Sequence, residues 1–317
     1  MKKIFNNFLV QSSKVGCNWM LCQATGGNTS FKYDGEINIK ASGYNLRDSL
    51  ICPEEIFVNP KEILGFKKPS MEYKMHIAIP HKYVFHYHPL RFILCSIFDE
   101  LQQLKNKLDE YKIKTCILPY VEPGDSLAFI IEKYIKNKEL PDIIFLMNHG
   151  VVVSGNNISS VKKLILVLEK ISFESLKQHI YLIKDIENSW GKLYETIIKK
   201  NKSIINNNDI ELVNKGLKKI KNNDILFPDQ VIYLDGNFAS WGDSNQYFTF
   251  SNSGYNSQII FEKKITNTQK EYLIALGFLI AMIGSSTKQI SNVINEKEVK
   301  NLKNNPKEIY RKNKDLA

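Results

Sequence analysis

Hydrophobic and polar positions change period repeatedly along the first half of the chain. Glu36-Ile-Asn-Ile-Lys40 has the two-residue period of a half-buried strand, and Tyr83-Val-Phe-His-Tyr-His88 is an aromatic, β-branched run that predicts another. Between them, Pro69-Ser70 ahead of residues 71–79 predicts a short capped helix closed by Pro80. Residues 90–108 predict a helix and 111–117 a strand, and Pro123-Gly124-Asp125 opens a helix over 126–137. Residues 143–147 and 151–153 are apolar strands on either side of Asn148-His149-Gly150, and 158–200 are helical, as one long helix or two in succession.

The character then shifts. Residues 199–224 are rich in Asn and Lys with weak periodicity, which marks a linker or a helix with a polar face. Short strands are predicted at 231–234, 247–250 and 258–265, an apolar helix over 268–283 and a charged one over 306–316. No internal repeat is visible. The pattern therefore predicts an α/β body over residues 1–198 and a smaller α+β extension over 199–317, serving as a lid or an oligomer contact.

Composition narrows the class. Of the 317 residues, 43% are hydrophobic and 11% aromatic, enough to bury a sizeable core. The most apolar run, residues 272–284, is too short to span a bilayer of about 30 Å at ~1.5 Å per residue and predicts a buried helix. The N-terminal apolar run is interrupted by Asn6-Asn7 and lacks a small-residue cleavage site, so no export signal is expected. The net charge of +10 divides into +3 over residues 1–150 and +7 over 151–317, mostly scattered Lys. Only three arginines are present, whereas nucleic-acid readers rely on Arg forks. The charge reads as solvated surface with mild attraction for anionic substrates, not as a nucleic-acid site. Cys17, Cys22, Cys52, Cys95 and Cys116 are odd in number and form no CxxC pair, which predicts free thiols in a reducing, cytoplasmic setting.

Candidate chemistry begins at His86-Tyr87-His88. Residues two apart on a strand share a face, so both imidazoles can reach one ion. Taken alone, such a pair more often only packs or hydrogen-bonds. His149, at the end of an apolar strand, and Glu72, near a helix N-terminus, are equally unremarkable singly. Together, three histidines and a carboxylate make a sensible set of ligands for Zn²⁺ or a similar divalent ion. Gly26-Gly-Asn-Thr-Ser30 adds a short glycine-rich loop able to cradle a phosphate through backbone N–H groups, with Ala41-Ser-Gly43 and Ser70 as further donors.

The ordered set Gly26-Gly-Asn-Thr-Ser30, Lys40-Ala-Ser-Gly43, Pro69-Ser-Met-Glu72, His86-Tyr-His-Pro89 and Asn148-His-Gly150 resembles the class II (metal-dependent) aldolase/adducin family over residues 10–180. The short spacing from Glu72 to His86, the segment Phe227-Pro-Asp-Gln-Val-Ile-Tyr233 and the ending Glu308-Ile-Tyr-Arg311 most resemble the aldolase half of bifunctional rhamnulose-phosphate aldolase/dehydrogenases. No GxGxxG or chain length remains for the dehydrogenase half. The resemblance implies a three-layer α/β/α sandwich, with metal ligands at His86, His88 and His149 and a catalytic acid/base at Glu72. It implies a phosphate site at Gly27, Asn28, Ser42, Gly43 and Ser70, and a proton-donating tyrosine at Tyr120, which in the family comes from a neighbouring subunit. Met71 stands where the family often has a second serine. The implied metal is Zn²⁺, with Mn²⁺ or Co²⁺ as substitutes, and the implied assembly is a homo-oligomer, a tetramer by resemblance.

That resemblance implies retro-aldol cleavage of a phosphorylated ketose, a lyase reaction in which the ion, as a Lewis acid, stabilises an enediolate. A carboxylate near the reacting carbon moves the proton, and a remotely held phosphate positions the bond. The same equipment serves epimerisation, dehydration or decarboxylation of a sugar phosphate. A binding module of adducin type would have no use for the ligand set, and neither nucleic acid nor membrane is an expected partner.

Overall fold

A computed structural model describes residues 2–61, 67–221, 224–235, 241, 247–253 and 256–316. Helix α1 (Lys2–Cys17) leads into the hairpin β1 (Asn28–Tyr33) and β2 (Glu36–Lys40), turned at Asp34-Gly35 with both residues at positive φ, as a two-residue turn demands. The chain continues through α2 (Pro53–Ile56), β3 (Phe57–Val58), α3 (Tyr73–Ala78), β4 (Tyr83–Tyr87), α4 (Leu90–Ile97), α5 (Leu101–Glu110), β5 (Thr115–Leu118) and α6 (Asp125–Asn137). Next come β6 (Ile143–Leu146), β7 (Gly150–Gly155), α7 (Ile158–Leu176) and α8 (Ile183–Lys199). The remainder runs β8 (Lys202–Asn206), α9 (Asn207–Lys219), α10 (Pro228–Leu234), β9 (Phe248–Ser253), β10 (Asn256–Phe261), α11 (Asn267–Ser285), α12 (Glu296–Asn304) and α13 (Pro306–Leu316).

The first seven strands form one sheet in the order β3-β2-β1-β4-β7-β6-β5, with neighbours antiparallel except for the β5–β6 pair. Both faces are covered, so the central strands β4, β6 and β7 are buried almost throughout. Phe85, Tyr87, Phe145, Val151 and Val153 pack in one core with residues of α1, α4 and α7. Val84, Ile144, Leu146 and Val152 point the other way, onto Met75 and Ile79 at α3 and Leu127 and Ile131 of α6. The result is the expected α/β class, as a three-layer sandwich.

The second half adds a small antiparallel sheet, β8-β10-β9, and the helix α11. α11 is apolar on all sides, and burial against α8 and α9 is the stable solution for such a helix. No helix among the described residues is long and apolar enough to cross a membrane. Glu271 of α11 accepts hydrogen bonds from Ala24 N, Arg47 Nη2 and Tyr194 Oη, tying α11 to the loop that precedes β1. Where α9 meets α11 the backbones touch: a Cβ on Gly284 would lie 1.9 Å from Leu212 O, and one on Gly216 would lie 2.0 Å from Ile280 O. Gly284→Ala is expected to destabilise the protein by roughly 3 kcal/mol, at the upper end of overpacking effects. A denaturation midpoint unchanged from wild type would refute this close packing.

Some expectations are corrected. Residues 231–234, read as a strand, belong to α10, where Pro228 occupies the first turn. A four-residue apolar run looks the same in either state, and burial on all sides decided it. Residues 90–108 form two helices, broken where Asp99 takes a positive φ of 59°. Of the two alternatives for residues 158–200, two helices in succession are found, α7 and α8, and the Asn- and Lys-rich stretch is mostly β8 and α9. All five cysteines are free thiols, with Cys22, Cys95 and Cys116 buried.

Candidate metal centre

Strand alternation places His86 on the same face of β4 as Val84, toward α3 and α6, and His88 follows one residue past the strand end. His149 sits in the tight turn between β6 and β7. Asn148 takes a φ of +54° there, and Ser96 Oγ caps it from α4. Gly150 allows the turn to press on β4, since a Cβ there would meet Tyr87 O at 2.4 Å and His88 Cδ2 at 2.9 Å. Three imidazoles separated by up to 63 positions thus share one buried spot, with ligand atoms all within 4.8 Å of one another.

A hydrogen bond at His86 and a carboxylate contact at His88 select which nitrogens face the centre. His86 Nδ1 donates to Val151 O at 3.0 Å, and His88 Nδ1 lies 3.3 Å from Asp229 Oδ2. That leaves the lone pairs on the two Nε2 atoms, which face each other at 3.1 Å. Burial, partly offset by Glu72, pushes His86 down to about 4, and burial together with its histidine neighbours holds His149 well below the usual range. Both are neutral at physiological pH, the state a metal ligand needs.

Glu72 stands beside this cluster at the start of α3. Its Oε2 lies 3.3 Å from His86 Nε2 and accepts a 2.7 Å hydrogen bond from Asn28 Nδ2, and its Oε1 lies 3.7 Å from His149 Nε2. Antiparallel pairing of β1 with β4 sets Asn28 directly opposite His86. His76, fully buried, bonds Asn28 Oδ1 through Nε2 and Ser30 Oγ through Nδ1, so it acts on Glu72 through Asn28. Glu72 Oε1 and His149 Nδ1 have no hydrogen-bond partner. Orphaned, buried donor atoms around converging imidazole nitrogens fit a divalent ion held by nitrogen and oxygen.

The phosphate-site candidates divide. Gly27 has φ +62° and approaches His86 O, while the Asn28 side chain is occupied by Glu72 and His76. A bridge from Ala41 to Pro69 brings Ser42 and Gly43 beside Ser70, but the N–H groups of Ser42 and Ser70 already donate to Lys68 O and Lys40 O. Their hydroxyls and the Gly43 turn, at φ +78°, remain as donors at this end, and the Lys314 side chain lies across Gly43. Tyr120 stands after β5, half-buried, its hydroxyl without a hydrogen-bond partner. Burial and the charge of Glu308 push it well above the usual tyrosine range. His81 and His179 lie elsewhere, bonded to Ser154 and Ser286.

Three charged residues in this region come from the second half of the chain, and sequence reasoning assigns them no role. Asp229 of α10, 1% exposed, stands behind His88 and pairs with Arg311 of α13. Burial raises its carboxyl, and Arg311 and His88 more than offset this, holding it down at about 2. Glu308, also on α13, is 1% exposed and lies 3.0 Å from Arg311 Nε. Burial, countered only in part by Arg311, lifts Glu308 to about 7. The motifs around 227–233 and 308–311 mark both segments, but no spacing links them to the histidines.

An α/β sandwich with a buried three-histidine, one-carboxylate cluster at the end of its central strands defines a class of candidate metal-dependent enzymes. Residues 9–173 match the model of the Class II Aldolase and Adducin N-terminal domain, and the chain belongs to this family. Members of the family with aldolase activity generally depend on a divalent metal. The chain is 27% identical to a protein described as the uncharacterized oxidoreductase YuxG of Bacillus subtilis, over 48% of this chain and 26% of that protein. It thus spans about a quarter of the length of that curated relative. Among solved structures, L-fuculose-1-phosphate aldolase from Thermus thermophilus is 17% identical, with a TM-score of 0.45 over 56% of this chain and 95% of that one. A sugar-phosphate aldolase from Thermotoga maritima is 18% identical, with a TM-score of 0.45 over 55% of this chain and 95% of that one. The N-terminal class II aldolase domain of a Thermoplasma acidophilum protein is 23% identical, with a TM-score of 0.42 over 53% and 91%.

Proposed function

We propose that this protein is a divalent-metal-dependent sugar-phosphate aldolase, cleaving the bond between the carbons α and β to the carbonyl of a phosphorylated ketose. The observation that carries the reading is the convergence of His86, His88 and His149 with Glu72 in one buried cluster. Those three histidines would hold the ion, with Zn²⁺ the best match to an imidazole set, and when bound it supplies Lewis-acid stabilisation of the charge left by bond cleavage. Glu72, held by Asn28 and backed by His76, takes and returns the proton at the carbon that loses its neighbour. The hydroxyls of Ser42 and Ser70, with the turns at Gly27 and Gly43, anchor the phosphate, so that its binding energy positions the reacting bond. Tyr120 handles the proton at the oxygen of the departing aldehyde, taking it from that hydroxyl during cleavage and giving it back during condensation. Residues 199–317 serve as a cover for the site, closing it with α10 and α13.

The test is to load the purified protein with Zn²⁺, Mn²⁺ or Co²⁺ and analyse products from a panel of phosphorylated ketoses. Two shorter carbonyl fragments without CO₂ support the aldolase. An inverted stereocentre, loss of water or released CO₂ would identify an epimerase, dehydratase or decarboxylase on the same scaffold. Failure to take up any of the three ions from micromolar solution would overturn the metal-dependent reading.

The support behind His88 makes its own prediction. A carboxylate on the far nitrogen of a ligating imidazole fixes its tautomer and raises its basicity. Asp229→Asn is expected to weaken metal binding by roughly 10- to 100-fold, read by competition with a chromophoric chelator. An unchanged metal affinity would remove Asp229 from the site.

A further inference from the structure

Buried polar atoms without a hydrogen-bond partner gather around the histidine cluster: Glu72 Oε1, His149 Nδ1, Tyr120 Oη and Glu308 Oε1, while Glu308 Oε2 has only its ion-pair contact with Arg311 Nε at 3.0 Å. Folded chains pair such atoms with protein, water or ligand, so a cluster of orphans marks a place where a polar partner belongs. Glu308 is the clearest case. It is 1% exposed, and its neighbours include two other acids, Asp229 and Glu72. The cation beside it, Arg311, is shared: it pairs with Asp229 and lies over the Tyr233 ring at 5.4 Å. A carboxylate left this way has spare acceptor capacity and suits a donor.

Helix α13 carries opposite charges to the two ends of the site. Lys314 lies against Gly43 and Tyr44, at the proposed phosphate end, with Lys68 over Tyr310 close by. Glu308 is six positions earlier, about 9 Å along the helix axis, against Arg311 and near enough to Tyr120 and Glu72 for the charges to act on one another. A phosphate is repelled by Glu308, whereas a sugar hydroxyl can donate to it and to, or accept from, the Tyr120 phenol.

We infer that Glu308 and Tyr120, steadied by Arg311, form a subsite for the hydroxylated end of a phosphorylated open-chain sugar, opposite the end that takes the phosphate. The C-terminal helix then selects a polyhydroxylated chain over a short keto phosphate fragment. This rests on the aldolase reading above, and it is tested separately from it.

The experiment measures binding of two probes to metal-loaded protein by calorimetry. One is dihydroxyacetone phosphate, which reaches the phosphate end only; the other is a set of hexitol 1-phosphates, which carry the full hydroxyl chain and no carbonyl to cleave. Glu308→Gln is expected to weaken the tightest-binding hexitol phosphate by roughly tenfold or more, while the three-carbon probe changes less than twofold. Tyr120→Phe should shift the two probes in the same selective direction by a smaller factor. Unchanged three-carbon binding also shows that each variant is folded. Equal losses for both probes, or no loss for either, would overturn the subsite. So would wild-type protein that binds the short probe and none of the hexitol phosphates. Wild-type protein that binds neither probe would overturn the sugar-phosphate reading itself, and the subsite with it.

Discussion

Replacing His86 by alanine removes the divalent ion and abolishes turnover. Wild-type protein should hold about one ion per chain after purification without chelator, and His86→Ala none at micromolar metal. The reason is geometric. His86 is fully buried, its Nδ1 is committed to Val151 O, and its Nε2 faces His88 Nε2 at 3.1 Å and Glu72 Oε2 at 3.3 Å. No other side chain of the cluster can fill its place, because β4 fixes its direction. Metal stabilisation of developing charge is worth several kcal/mol, and each ~1.4 kcal/mol is tenfold in rate, so turnover should fall at least a thousandfold. Elemental analysis and a turnover assay on the same preparation check both halves. A variant with a full equivalent of metal and turnover within tenfold of wild type would remove His86 from the ligand set.

Glu72→Gln should separate chemistry from metal binding. The side chains have the same shape, and a glutamine oxygen can still accept from Asn28 Nδ2, so the pocket should keep its arrangement. The variant cannot take the proton. Loss of general acid/base help costs typically 10²–10⁴ in rate, and the drop should fall on kcat with KM little changed. Metal content should stay near one per chain, since three histidines remain. A second readout needs no cleavage: exchange of the carbon-bound proton of the short ketone product into D₂O should slow by the same factor. Turnover and exchange both within tenfold of wild type would show that another group moves the proton.

How far the site is legible in sequence varies by residue. His86 and His88 are readable because strand alternation is local: two positions apart in an apolar run means one face. His149 and Glu72 carry no local signal, and only their order among the other motifs singles them out. The loop composition marks Asn28 as a phosphate contact, yet its side chain is taken by Glu72 and His76, a pairing set by the β1–β4 register. The resemblance makes Tyr120 a residue contributed across a subunit boundary. In the structure its hydroxyl is buried among acids of its own chain, Glu308 nearest in effect. Asp229, Glu308 and Arg311 lie within recognisable motifs but have no chemistry legible there, since nothing in a linear pattern reveals that α10 and α13 fold back onto β4.

Short-range periodicity and residue type are enough to reveal five of the seven strands of the central sheet, missing β1 and β3, together with the buried course of α11, the absence of a disulfide framework, and the His86–His88 pair. Each of these rests on contacts within a few positions or on composition, and a single chain displays both. The remaining features emerge only on packing. Packing splits residues 90–108 at Asp99, turns 231–234 into helix, and wedges α9 against α11 at Gly216 and Gly284. It also brings carboxylates and an arginine from the last third of the chain behind the histidines. Those outcomes depend on which surfaces remain to be buried once the sheet has formed, and on pairing charges that would otherwise be left dry and alone. They are properties of the packed whole, and no local window of sequence contains them.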